Sequence, residues 1–413
     1  MHVTTPPADT SDPGSTFEPR STVSCLVRDR RSGERLPPAG PPARTALAVA
    51  AIIVLCAAPL LHADDASRSG DDAADTGQDD PLAAVGGIAV ERVYRPAQSA
   101  FAAAAGTLEA RVATLCTDAD EEALAAARDA FANAVAAFSG IELLRAGPLL
   151  EDNRLNRLFY WPDTRRAGER QLGALLAEGP DGIEAGTMPS RSVAVQGLPA
   201  LERLLYGDAA TVLAGGDDPS PAGRCRVAEA VAGNVAAVAR TLDEAWSSED
   251  GIAREMRSPR PDDELFRSSD EVVRRLMTQL ESGLGILLER KIHPFLDAEP
   301  PSLSGAPFAR SGESWSNLAG NIESLRALGI DTGLAEQADL EKELAFEFRV
   351  AAAHTARLAE LAAEGTPSDV LDEEESGVLR ALMLTLASIR TTLNERLLPN
   401  LGVRTGFNAE DGD

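Results

Sequence analysis

The residue of this chain best placed for chemistry is Glu202, in the segment 192–207, SVAVQGLPALERLLYG. Gly197 and Pro199 suit a helix start there, because proline is tolerated in a first turn. With about 100° per helical residue, Leu198, Leu201 and Leu205 form one apolar stripe, and Glu202 projects about 40° from Leu198. A carboxylate beside an apolar stripe must pair with a cation, bind a metal ion or take up a proton. Two readings follow, a structural ion pair with an arginine and a ligand or substrate contact. Histidine offers little competition. Beyond the leader only His293 and His354 occur. His354 shares a helical face with Val350, Leu358 and Leu361 and reads as a core residue, while His293 precedes Pro294 at a helix end and can complement terminal carbonyls. A metal site would therefore rest on oxygen ligands, which suit hard cations such as ferric iron. There is no HExxH, G-x-S-x-G, phosphate-binding glycine loop or CxxC.

The elements that must position Glu202 are helices. The chain has 413 residues, 44% of them hydrophobic but only 4% aromatic, so alanine and leucine carry the core, which favours packed helices over a sheet. Apolar residues recur at intervals of three and four. Phe101, Leu108, Val112 and Leu115 are followed by Leu124, Ala127, Phe131, Val135 and Phe138, and then by Val227, Val231, Val235, Val238, Leu242 and Trp246. Later come Val273, Leu276, Leu280, Leu284 and Leu287; Leu340, Leu344, Phe348 and Ala351; and Leu379, Leu382, Leu386, Ile389, Leu393 and Leu397. Residues 149–192 read as mostly irregular with one short helix near 172–176, and 247–262 read as a junction. An all-α fold is expected, with two helical-bundle lobes of long antiparallel helices at 88–250 and 251–413.

Residues 46–61, ALAVAAIIVLCAAPLL, form an apolar run behind Arg44 that ends in Leu61-His62-Ala63, a small-residue cleavage pattern. The run is shorter than the roughly 20 residues a spanning helix needs. Residues 1–63 are thus expected to be a leader with a cleaved export signal, an uncleaved membrane anchor being the alternative, and acidic residues 64–87 a disordered spacer. Cleavage leaves Cys116 and Cys225, which in an oxidising compartment either form one disulfide or stay as buried thiols. The net charge of −26 argues against nucleic acid or anionic membrane as a partner.

Four segments carry a resemblance to a known family. They are VQGLPALERLLYG (195–207); 143–148 with the following LFYWPD (158–163); RSGESWSNLAGNIESL (310–325); and the C-terminal LGVRTGFNAEDGD (401–413). In this order they are similar to the imelysin-like family, whose motif reads G-x-H-x-x-E, and the likeness covers roughly 88–413, together one imelysin-like domain. It implies a two-lobed helical bundle in the periplasm or cell envelope, with its site between the lobes. It also implies a link to iron uptake and, for some members, a peptidase label. Carried over, Gly197 and Glu202 match the motif, while Pro199 stands at the histidine and offers neither a ligand atom nor a proton. The expected ligand set is Gly197, Glu202, Arg145, Trp161, Asp163, Asn408 and Asp411, with Glu202 as the metal ligand. Arg145 would be the charge partner of Glu202 or Asp163, and Trp161 with Pro162 an apolar wall. Expected ligands are iron, another divalent or trivalent metal ion, or a small molecule, with envelope iron-transport proteins as partners. The leading reading is a binding protein; the alternatives are a metallopeptidase of the imelysin type and a partner-binding envelope protein.

Overall fold

The computed structural model describes residues 82–178, 183–206, 221–364 and 369–402. Among them there is no strand, and one antiparallel bridge joins Ser302 to Val370. The helices run α1 (Val85–Ala89), α2 (Arg95–Thr117), α3 (Glu121–Glu142), α4 (Arg154–Leu158), α5 (Ala167–Ala177), α6 (Leu198–Tyr206), α7 (Pro221–Ser247) and α8 (Ile252–Arg257). They continue with α9 (Ser269–Lys291), α10 (His293–Leu296), α11 (Ser314–Arg326), α12 (Leu334–Gln337), α13 (Glu341–Glu364), α14 (Glu373–Thr392) and α15 (Leu398–Asn400).

The sequence sets these starts by capping. The Asp120 side chain accepts from the Ala123 N–H at 2.7 Å at the head of α3, and Ser268 does the same for Glu271 at the head of α9. At α14, Asp372 and Glu375 form a reciprocal capping box. The apolar faces read from periodicity are the buried ones. Phe101, Leu108, Val112 and Leu115 of α2 and Phe131, Val135 and Phe138 of α3 are all inaccessible to solvent.

Burial divides the fold into two hydrophobic cores. The first is built from α2, α3, α6 and α7, the second from α9, α11, α13 and α14. The cores are not consecutive along the chain. Val85, Ala89, Val90, Val93 and Tyr94 pack into the second core, as do Leu143, Leu144 and Trp246, whereas Phe308 packs into the first. A division at 250 therefore separates residues that share a core. Helix α1 also begins at Val85, inside the stretch expected to be spacer, because Val85 is buried against the second core. Residues 247–262 contain α8, and 149–192 contain α4 as well as α5, so both stretches are more regular than their sequence suggests.

The cores meet where α3 lies along α11. A Cβ added at Gly320 of α11 would stand 2.6 Å from Ser139 Cβ of α3, so glycine permits the close approach. At the far end of the first core Cys116 and Cys225 are bonded, tying the end of α2 to the start of α7 across 109 residues, with their Cα atoms 5.5 Å apart. The leader, including 46–61, lies outside the described residues. No helix among the described residues is long and apolar enough to cross a membrane.

The long loop makes the disulfide consequential. Replacing both cysteines (Cys116→Ala with Cys225→Ala) is expected to cost about 4 kcal/mol of unfolding free energy. Denaturant unfolding of the oxidised wild type and the double variant measures this directly; equal stabilities would show that the bond does not constrain the unfolded chain.

Candidate functional site

Three chain segments converge on Glu202. Helix α6 supplies Pro199, Glu202 and Arg203; residues 159–163 supply Phe159, Tyr160, Trp161 and Asp163; and the loop 305–310 closes the opposite side. Between them lies a hollow of about 180 Å³. The start of α6 is fixed by Gly197, where a Cβ would stand 2.2 Å from the carbonyl oxygen of Leu158. Gly197 is thus a packing requirement that brings α6 against the 157–158 backbone, and it is not among the residues lining the hollow.

Glu202 is buried, and its Oε1 accepts from the Ser311 N–H at 2.9 Å and the Ser311 hydroxyl at 2.8 Å. Burial pushes its pKa above the ordinary carboxylate value, against the lowering effect of the Ser311 bonds and of the Arg310 and Arg203 charges. Asp163, by contrast, is committed to structure. Its Oδ1 accepts from the Ala167 N–H at 2.7 Å and its Oδ2 from the Gly168 N–H at 2.8 Å, capping α5. Its cationic partner is Arg203, 3.5 Å away, and Arg203 also donates to the Pro199 carbonyl at 2.9 Å. Arg145, expected as partner of Glu202 or Asp163, lines a different hollow along α9, with its Nε donating to the Glu142 carbonyl at 3.3 Å.

Trp161 does form a wall. Its Nε1 donates to the Gly305 carbonyl at 2.9 Å, and its ring is stacked 5.8 Å from Phe159, which in turn stacks 5.3 Å from Phe308. Behind that wall stands a group the sequence reading did not single out. Lys291 of α9 is buried, with its Nζ 5.4 Å from the Phe159 ring centroid and 5.8 Å from that of Trp161. The ammonium bonds Glu142 Oε1 at 2.7 Å, Asn317 Oδ1 at 2.6 Å and Asn321 Oδ1 at 2.6 Å. The two asparagine amides return bonds to Glu142 Oε2 at 2.9 and 3.1 Å, and Asn317 also donates to the Ser139 hydroxyl at 2.7 Å. Burial alone would raise the Glu142 pKa; the Lys291 charge and these hydrogen bonds outweigh it and hold the carboxyl below its usual range. Three oxygen acceptors around one nitrogen require an ammonium, so the pair is ionised. Lys291 is one of only two lysines in the chain, and Asn317 and Asn321 stand one helical turn apart. Both are signals, but neither identifies its partners.

Among the described residues no group of three or more His, Cys, Asp and Glu side chains could hold a metal ion. Glu202 offers one carboxylate oxygen not already bonded by Ser311, Asp163 is spent on the α5 cap, and Pro199 contributes no side-chain donor. His354 is only partly buried and His293 is exposed, so neither is a core histidine, and neither lines the hollow. Asn408 and Asp411 lie outside the described residues.

A family model described as Imelysin, a peptidase family, matches residues 94–393. No curated protein matches the chain. Among solved structures it is similar to an imelysin-like protein from Psychrobacter arcticum 273-4, at 18% identity and a TM-score of 0.60, covering 79% of this chain and 98% of that one. It is also similar to a protein named as a candidate iron-regulated protein A precursor from Parabacteroides distasonis ATCC 8503. That likeness has 13% identity and a TM-score of 0.56, covering 76% of this chain and 95% of that one. At these identities the likeness is one of fold.

Two measurements test the site as built. Lys291→Met leaves Glu142 charged and unpaired in the interior and is expected to destabilise by about 3–5 kcal/mol. Adding Glu142→Gln should recover part of that loss in a denaturation cycle, and strictly additive losses would rule the pair out. For Glu202 the folded pKa is raised, so its stabilising proton is fully held below the unfolded pKa of about 4 and is lost as pH rises through the folded value. Glu202→Gln is therefore expected to match wild type near about pH 4 and to exceed it at about pH 7.5. A variant less stable than wild type at the higher pH would show that Glu202 serves the fold.

Proposed function

This chain belongs to the imelysin family, and we propose that within it the chain is an exported binding protein that takes a small polar ligand into the hollow around Glu202. The observation that carries this reading is a desolvated carboxylate on the wall of a cavity, held by Ser311 on one oxygen and, among the described residues, with no ion pair of its own. Leaving such a group in the interior costs stability, and a ligand donor or cation that completes its bonding offsets that cost. Arg310, which also lines the hollow, suits a ligand with an anionic group, and Trp161, Phe159 and Phe308 give it an apolar surface.

Iron fits this reading as cargo rather than as a resident cofactor. Glu202 can fill one position on a hard cation, and a chelator carried with the ion fills the rest. The name of the Parabacteroides relative supports an iron connection, and envelope iron-transport proteins are the natural partners for handing such cargo on. Export to the periplasm or cell envelope is supported by the apolar segment 46–61. Peptidase chemistry asks for more than this hollow supplies. A metallopeptidase needs several protein ligands on one ion and an activated water, and the described residues gather no such set.

Trp161 lines the hollow and serves as the reporter. Titration of the purified chain with ferric nitrilotriacetate is expected to quench tryptophan emission saturably. Glu202→Gln should weaken binding tenfold or more, and Trp161→Phe should remove most of the signal. Absence of saturable quenching, together with no iron retained through gel filtration, overturns the proposal.

A further inference from the structure

Two acids and two bases line the Glu202 hollow, and they divide into a pair that is spent and a pair that is not. Asp163 is taken by the α5 cap and by Arg203, which also holds the Pro199 carbonyl. What remains is the Oε2 of Glu202, since both Ser311 bonds go to Oε1, and the guanidinium of Arg310. Among the described residues Arg310 makes no hydrogen bond or ion pair. Burial raises the Glu202 carboxyl pKa, and the Arg310 charge is among the effects that lower it, so the two groups lie within electrostatic reach of each other.

A ligand that answers both groups carries both signs. A simple anion would satisfy Arg310 and stand against the Glu202 carboxylate; a simple cation would do the reverse. A net-neutral molecule with a cation and an anion at separate points meets both and leaves the charge of the hollow balanced. An ammonium suits the one unbonded Glu202 oxygen, because a single carboxylate balances its charge, whereas a hard metal ion asks for several ligands. An exposed arginine held by no other group can turn its planar guanidinium onto a carboxylate and bond both oxygens. Size narrows the class further. The hollow measures about 180 Å³, and a cavity of about 150 Å³ takes one benzene ring, so the body that fits has about six to ten heavy atoms. Most of the remaining lining is apolar, with Trp161, Pro199, Ala306 and Pro307 among it. We propose that the hollow binds a small zwitterion of the amino-acid type, its ammonium on Glu202, its carboxylate on Arg310 and its aliphatic body against Trp161. This rests on the Glu202 hollow being a binding site, and it names a ligand class besides the chelated ion.

Three probes are titrated calorimetrically against the full chain at about pH 6.5, where α-amines are charged. They are L-leucine; L-leucinamide, which keeps the ammonium and lacks the carboxylate; and N-acetyl-L-leucine, which keeps the carboxylate and lacks the ammonium. Leucine is expected to bind saturably, and each derivative at least tenfold more weakly. Glu202→Gln and, separately, Arg310→Gln should each weaken leucine tenfold or more. Arg310 is exposed and glutamine keeps the shape of Glu202, so both variants should retain the wild-type circular dichroism. No saturable heat from leucine, a derivative that binds as tightly as leucine, or unchanged affinity in either variant overturns the zwitterion. If ferric nitrilotriacetate still quenches Trp161 in that event, the hollow binds another class of ligand; if it does not, the hollow is no binding site at all.

Discussion

The buried ion pair of Lys291 and Glu142 sets how the two cores meet. Glu142 ends α3 in the first core, Lys291 ends α9 in the second, and Asn317 and Asn321 of α11 hold both. Apolar packing along α3 and α11 brings the two cores together but is tolerant of sliding. A charged pair whose every partner sits within 3.1 Å is not, because a shift of one helical turn would leave an ion without hydrogen bonds in the interior. The close approach allowed by Gly320 and the Asn317 bond to Ser139 belong to the same seam.

The seam also shapes the hollow beside it. Lys291 lies against the faces of Phe159 and Trp161, and those rings form the wall facing Glu202. On the other side, Asp163 holds α5 and Arg203 together, and Arg203 in turn grips the first turn of α6 through the Pro199 carbonyl. Every charged group around the hollow except Glu202 and Arg310 is thus assigned to the scaffold. Preorganisation of that kind suits recognition, since the groups that would otherwise rearrange on binding are already fixed.

Pro199 gains a physical meaning in this setting. At the start of α6 it satisfies the backbone without an N–H and gives its carbonyl to Arg203, so its place in the helix is well suited. It also faces the hollow, where a histidine would have brought a second donor within one turn of Glu202. Pro199 supplies no such donor, so Glu202 is the carboxylate on which a ligand in this hollow would bear.

The helices, their buried faces and the family were legible in the sequence, the first two because a helix needs only local spacing and capping, which lie within a few residues of one another. It also pointed to Glu202, since a carboxylate beside Leu198, Leu201 and Leu205 conflicts with its own neighbours. Which groups answer that conflict was decided by the tertiary structure. Ser311 lies 109 residues away, Arg203 goes to Asp163, and Arg145 goes to another surface. The same holds for Lys291, whose partners come from two other helices, and for the first ten residues of the fold, which pack into the distant core. Pairing among polar side chains depends on distance and desolvation in the folded chain, and spacing along the sequence carries neither.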